Sequence, residues 1–290
     1  MPFWNQITRL VKDAPPSHLF ELSEAGLAFA HDGQNGFQPF EGGVLVASPV
    51  EDNVLQPDYV AAAIERTAPA NGSKKRRPAA VVLPDYAARV TVLDFDSFPS
   101  EPEEQLSLVR FRVKKTVPFD IDSAAVSYCV QPSPHSKTEN KNVEVVVVTV
   151  ALEVIARYEA LFRNAGFHPG VVTTSALAAL NLYRGDGVVV VAKIAGLVLT
   201  VMVLAGNSIK LFRCVTLEEA SEEEILAILH PTFAYVEDEL GSPARKLILC
   251  GFPPGSLPDI NCEIERLHSR FGSPGPFNAG LFGYMEAVAG

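Results

Sequence analysis

The sequence predicts an α/β fold, and three observations carry that expectation. Runs of β-branched residues alternate with amphipathic helical stretches along the whole 290-residue chain. Two strand hairpins, "HLFELSEAGLAFAHDG" and the pair of valine-rich runs around "VAKIAGLVLT", each open one half and hint at a duplicated plan. Apolar residues make up 48% and charged residues 20%, the balance of a folded protein with a large core.

The elements follow in order. In "MPFWNQITRLVK", Phe3, Trp4, Ile7, Leu10 and Val11 keep helical spacing beside Arg9 and Lys12. Such a segment suits packing on its own protein or fraying, with a membrane surface or a docking partner as the alternative. "DAPPS" is a boundary, after which the first hairpin turns near Glu24–Gly26. "QPDYVAAAIERTA" is a short helix with Pro57 in its first turn and Val60 and Ile64 on one face. The linker 69–78 carries the basic run "SKKRR", read as a solvated loop tip. A buried strand, Ala79–Leu83, then meets Pro84–Asp85, and a second strand follows.

"SEPEEQLSLVRFRVKKTVPF" opens with a capping-box pattern at Ser100 and Glu103. Its stripe Leu106, Val109, Val113 and Val117 predicts a helix that Pro118 ends. A strand at 124–131 leads to the polar loop "SPHSKTENKN", expected to be mobile. "VEVVVVTVA" is a fully buried strand running into the helix "LEVIARYEALFRNAG", which Gly166 closes. "GVVTTSALAALNLY" supplies a strand and a helix, and "GDG" at 185–187 marks a domain-scale break. Beyond the second hairpin come a helix with Pro231 as a break or kink, the buried strand of "ARKLILCGFPPGS", and a final helix, "NAGLFGYMEAVAG".

Several function classes are excluded. A net charge of −10 argues against broad affinity for nucleic acid or anionic lipid. Cys129, Cys214, Cys250 and Cys262 lack metal spacing, the six histidines are scattered, and no nucleophile-elbow motif occurs. No signal peptide precedes the cysteines, so reduced thiols in a cytosolic protein are expected. Val188–Ala205 approaches the length of a bilayer crossing. Lys193 and Gly196 interrupt it, however, and two buried strands joined by a tight turn fit better.

Three segments in order suggest a family. "AAVVLPDYAARVTVLDF", "VRFRVKKTVPFDIDSAAVSYCV" and "VEVVVVTVALEVIARYEALFRNAGFHPGVVTTSALAAL" resemble PilM, the cytoplasmic actin-like protein of type IV pilus assembly. The similar positions are Leu83–Asp85, Val117–Phe119, Val126–Val130, Val143–Val150, Ala165–Pro169 and Ala176–Leu180. The resemblance implies an actin-like, duplicated ribonuclease H-like fold. Residues 18–92 with 154–182 would form the first half, 93–153 an inserted α+β subdomain, and 183–290 a second half with a reduced small lobe; 1–17 stays an amphipathic appendage. PilM-like proteins bind ATP between the halves. They also hold the cytoplasmic tail of PilN, a single-span membrane protein, beside the inserted subdomain. The cytoplasmic domain of the type II secretion L protein is similar, without clear nucleotide use.

The resemblance also locates a nucleotide site and shows it altered. The first phosphate turn, "ELSEAGLA", puts Glu21 at the family's aspartate, Ser23 at its glycine, Glu24 at a small hydroxyl and Ala28 at its lysine. In the second turn the aspartate becomes Lys193 and the glycine Ala195, followed by Gly196. Gly251 alone keeps the adenosine-side glycine. Magnesium keeps much of its hydration shell and needs oxygen ligands, which a lysine cannot supply. Only Thr216–Ala244 separates the strands that flank the small lobe, so adenine would lose enclosure.

The expectation is therefore a degenerate site with no cofactor, no metal and no catalysis, in which Lys193 pairs with Glu21. The chain would be a scaffold, cytoplasmic and peripheral to the inner membrane, with Phe111, Val117, Pro118 and Phe119 as candidates to line a groove for a PilN-like tail. Phe3, Trp4 and Ile7 would be the membrane-surface candidates. The competing readings are an ATP-binding switch with drifted turns, and an actin-like kinase, for which neither a catalytic acid nor intact glycine turns are visible.

Overall fold

A computed structural model describes residues 15–50, 52–69, 75–132, 142–257 and 260–289. The segment bearing Phe3, Trp4 and Ile7, and nearly all of the polar loop 133–142, lie outside the described residues.

The architecture is built twice from one plan. In the first half, β1 (His18–Ser23), β2 (Gly26–His31) and β3 (Gln34–Pro39) form an antiparallel meander, and β4 (Arg77–Leu83) and β8 (Phe167–Thr174) extend it in parallel, giving the order β3-β2-β1-β4-β8. In the second half, β9 (Val188–Ala195), β10 (Val198–Ala205) and β11 (Ser208–Thr216) repeat the meander. Here β12 (Lys246–Cys250) and β13 (Glu263–Arg266) supply the parallel strands, in the order β11-β10-β9-β12-β13.

The helices fill three spaces. α1 (Pro57–Thr67) and α3 (Leu152–Asn164) cover one face of the first sheet, where Phe20, Phe162 and Phe167 meet in the core. α5 (Glu222–Leu240) covers one face of the second sheet through Ile225, Leu229 and Val236. The inner faces share a third core. There Leu19, Ala28 and Ala30 of the first sheet join Val189, Val191 and Met202 of the second, with α4 (Ser175–Ala179) and α6 (Ala279–Ala289) contributing. α6 follows the second half in sequence yet packs on α4 and β1 of the first. Glycine makes that approach possible: a Cβ on Gly283 would stand 2.1 Å from the Ala178 carbonyl oxygen.

The inserted subdomain is the sheet β5-β7-β6, made of β5 (Arg89–Phe95), β6 (Ala124–Val130) and β7 (Val143–Ala151), under α2 (Pro102–Val113). It also grips the second half. The buried Gln131 side chain accepts from Ile209 N at 2.6 Å and donates to Ile209 O at 2.8 Å, as a neighbouring strand would. Lys210 adds an ion pair to Glu144.

Three local expectations are corrected. α2 begins at Pro102 with Glu101 as its N-cap and no capping side chain, so the Ser100–Glu103 box does not form; a proline at the first position needs no partner for its missing N–H. The same helix ends at Val113 rather than at Pro118, because Thr116 N bonds back to Val113 O and closes a turn. Of the break or kink expected at Pro231, the break does not occur: α5 runs through it as one helix, and the Thr232 hydroxyl donates to Ile228 O one turn back at 2.9 Å. The β1–β2 turn falls at Glu24–Ala25, as expected.

Candidate functional site

The strand ends that face each other between the halves enclose a cleft of about 350 Å³. Of the positions predicted from the phosphate turns, Glu21, Ser23, Glu24, Lys193, Ala195 and Gly196 all line it. Gly251 does not. It turns the chain after β12 with φ +81°, and a Cβ there would meet Ile194 O at 2.1 Å and Pro276 Cα at 3.0 Å. Packing within the chain is thus enough to require glycine at that point.

Lys193 lies at the end of β9 with its side chain 2% exposed. Its partner is not Glu21. The ammonium bonds Asp85 Oδ2 at 2.9 Å, and the Asp85 side chain is likewise 2% exposed. Asp85 immediately follows Pro84, whose extended backbone (ψ 143°) carries the chain off the end of β4. Its Oδ1 accepts from Ala176 N at the start of α4 at 2.6 Å, and its Oδ2 also accepts from Thr200 Oγ1 at 3.3 Å.

Glu21 is directed elsewhere by two donors of the first half and the C-terminal helix. Ser175 Oγ donates to one oxygen, and Leu281 N, in the first turn of α6, donates to the other at 2.7 Å. A carboxylate at a helix N-terminus is favoured by the free N–H groups there, which explains the preference over Lys193. Glu24, on the exposed turn, accepts from Ala47 N at 2.8 Å. Ser23 Oγ donates to Gly26 O and tightens the hairpin.

These partners set the electrostatics. Burial pushes the Glu21 carboxyl above its ordinary value, opposed by Lys193, Ser175 and Leu281. For Lys193 burial is the largest single influence and would lower it, but the Asp85 and Glu21 carboxylates together outweigh it and hold the ammonium charged. Burial also pushes the neighbouring Cys214 and Cys250 thiols up to about 12, so both are inert.

The donor set does not suit a hydrated divalent cation. The Lys193 ammonium, bonded to Asp85, stands between the halves where a metal would need oxygen ligands. Phosphate would also meet Glu24 at the mouth, and Phe277 and Pro276 take part of the space. No cluster of three or more metal-ligating side chains occurs among the described residues.

Sequence reasoning missed Asp85, Ser175 and Thr200 as members of this cluster. The signal for Asp85 was present, since an acid directly after the buried run "AAVVLP" must find a partner. Ser175 and Thr200 carry no such mark.

The groove candidates differ in exposure. Phe111 is 75% exposed on α2, and Pro118 is exposed. Val117 is half-buried against the inserted core, whereas Phe119 packs against both that core and the first-half core, at their junction. No helix among the described residues is long and apolar enough to cross a membrane.

Neither a protein-family model nor a curated protein matches the chain. Solved structures do. The chain is similar to a PilM–PilN type IV pilus biogenesis complex at 14% identity, over 95% of this chain and 99% of that one, with a TM-score of 0.71. It is also similar to the cytoplasmic domain of EpsL, an inner membrane component of the type II secretion system of Vibrio cholerae, at 15% identity over 94% of each chain with a TM-score of 0.52. A Bacteroides thetaiotaomicron protein with an actin-like ATPase fold matches over 86% of the chain and 90% of its own, at 11% identity and a TM-score of 0.48. With its twice-repeated strand order, the chain has the actin-like ATPase fold, which it shares with these pilus and secretion proteins.

Proposed function

We propose that the chain is a non-catalytic scaffold of a type IV pilus or related secretion platform, cytoplasmic and peripheral to the inner membrane, which holds the tail of a membrane-anchored, PilN-like partner. The observation that carries the non-catalytic part is the buried Lys193–Asp85 pair, with both buried acids of the cleft, Asp85 and Glu21, committed to partners inside the protein. Breaking such a pair to admit a ligand leaves an uncompensated buried charge, at about 3–5 kcal/mol. A nucleotide would have to supply that energy before gaining anything.

The scaffold part draws on the similarity to the PilM–PilN complex. Phe119, at the junction of the inserted subdomain with the first half, and the exposed Phe111 are of the type that anchors protein interfaces. A scaffold of this kind needs no chemistry, only a fixed relation between the surfaces it joins.

A second reading, an ATP-binding switch, is favoured by one observation: the cleft persists, with exposed Gly196 at its rim. Affinity capture with the purified chain, from an inner-membrane fraction, tests the scaffold. The expected result is a single-span protein with a short cytoplasmic tail, lost when Phe111 or Phe119 is changed to Ser. Recovery of no membrane-anchored protein counts against the reading.

A further inference from the structure

We propose that the Lys193 ammonium is a built-in substitute for a bound cation: a tether that holds the two halves in one arrangement with no ligand present. The inference rests on the non-catalytic reading above and adds to it a physical role for the altered residue.

Lys193 belongs to β9 of the second half and Asp85 to the short turn that follows β4 of the first, so their 2.9 Å contact crosses the cleft. Thr200, from β10, reaches the same carboxylate oxygen. Through its other oxygen Asp85 grips the start of α4, against which α6 packs. Glu21 holds α6 itself through Leu281 N. The cluster thus contains two carboxylates, one ammonium and two helix starts, drawn from both halves. A cation delivered by a ligand would stabilise this arrangement only in proportion to its occupancy. A charge covalently attached to β9 is present at every concentration, and in a buried site its attraction is weakly screened.

The arrangement makes a specific demand. Removing the lysine side chain leaves two buried acids in the cluster without a cation, Asp85, which bonded the ammonium, and Glu21. Hard divalent cations bind such oxygen sites. Lys193→Ala should therefore acquire a dependence on Mg²⁺ or Mn²⁺ that the natural chain lacks.

The experiment is thermal unfolding of the full chain with and without Mg²⁺. The wild-type Tm is expected to stay unchanged. Lys193→Ala should melt lower, and recover by roughly 3 °C when Mg²⁺ reaches about ten times its dissociation constant. Adding Asp85→Asn to that variant should abolish the recovery. A Lys193→Ala chain indifferent to Mg²⁺, a response that survives Asp85→Asn, or a wild type that itself responds would each overturn the tether.

Should Lys193→Ala fail to fold even with Mg²⁺, the uncharged pair Asp85→Asn/Lys193→Met decides. Spin labels on α1 and α5 should show a broader distance distribution between the halves than in the wild type, and an equally narrow one overturns the proposal. Binding of Mg-ATP by the wild type would instead defeat the non-catalytic reading, so the two failures are told apart.

Discussion

Gly283→Ala should damage the cleft from a helix that only borders it. The added Cβ would lie 2.1 Å from Ala178 O, 2.6 Å from Ala178 C and 2.8 Å from Ala179 Cα, all backbone atoms of α4 that cannot rotate away. Ordinary contact begins at 3.4 Å, so α6 and α4 must part by about 1.3 Å in an interior that has no slack. The Leu281 N–H moves with α6, and its 2.7 Å bond to Glu21 stretches to about 4 Å, beyond hydrogen bonding. Overpacking costs about 1–3 kcal/mol. Losing a hydrogen bond to a buried carboxylate costs about 1.5–3 kcal/mol more. The sum, about 2.5–6 kcal/mol, lowers Tm by at least about 5 °C in a chain of this length. Urea denaturation followed by circular dichroism reads it directly, with Gly42→Ala as the control because nothing lies within 4 Å of a Cβ there. A loss for Gly283→Ala no larger than the control's would refute the coupling of helix packing to the acid.

Three further outcomes are expected. In a double-mutant cycle, Lys193→Met and Asp85→Asn should each cost about 3–5 kcal/mol while the pair together costs far less than the sum; strict additivity in urea would show that the two side chains do not interact. Because burial holds Glu21 above its ordinary 4.5, the unfolded chain releases this proton first as pH rises. The contribution of Glu21 is therefore full below pH 4.5 and is lost as pH climbs through the folded value. Glu21→Gln should flatten the stability profile above pH 4.5, and an unchanged slope would reject the assignment. Phe111→Ser should leave Tm within about 1 °C of the wild type, since the ring is 75% exposed, yet weaken capture of the membrane partner about tenfold or more.

Legibility in the sequence followed burial. The central strands β1, β4, β7, β9, β10 and β12 are apolar runs that announce themselves, and the hairpin turns at Glu24 and Gly196 are marked by small or polar residues. The edge strands β3 and β13 were invisible because they are largely exposed and carry no alternating pattern; "QNGFQP" reads as a loop until β2 pairs with it. At the cleft, alignment to the phosphate turns located six lining residues but mispaired one. Lys193 was matched to Glu21 because both sit on turns of the resembling motif. The choice of Asp85 depends on α6 returning to the first half and engaging Glu21, a contact across 260 positions that no local pattern encodes.

The central proposal is that the buried acids of the cleft are committed to the chain's own donors, so that the cleft does not work on nucleotide. Calorimetric titration of ATP into the wild-type chain, with and without Mg²⁺, tests it most directly. The account predicts no saturable heat in either arm; micromolar binding that requires Mg²⁺ would contradict it.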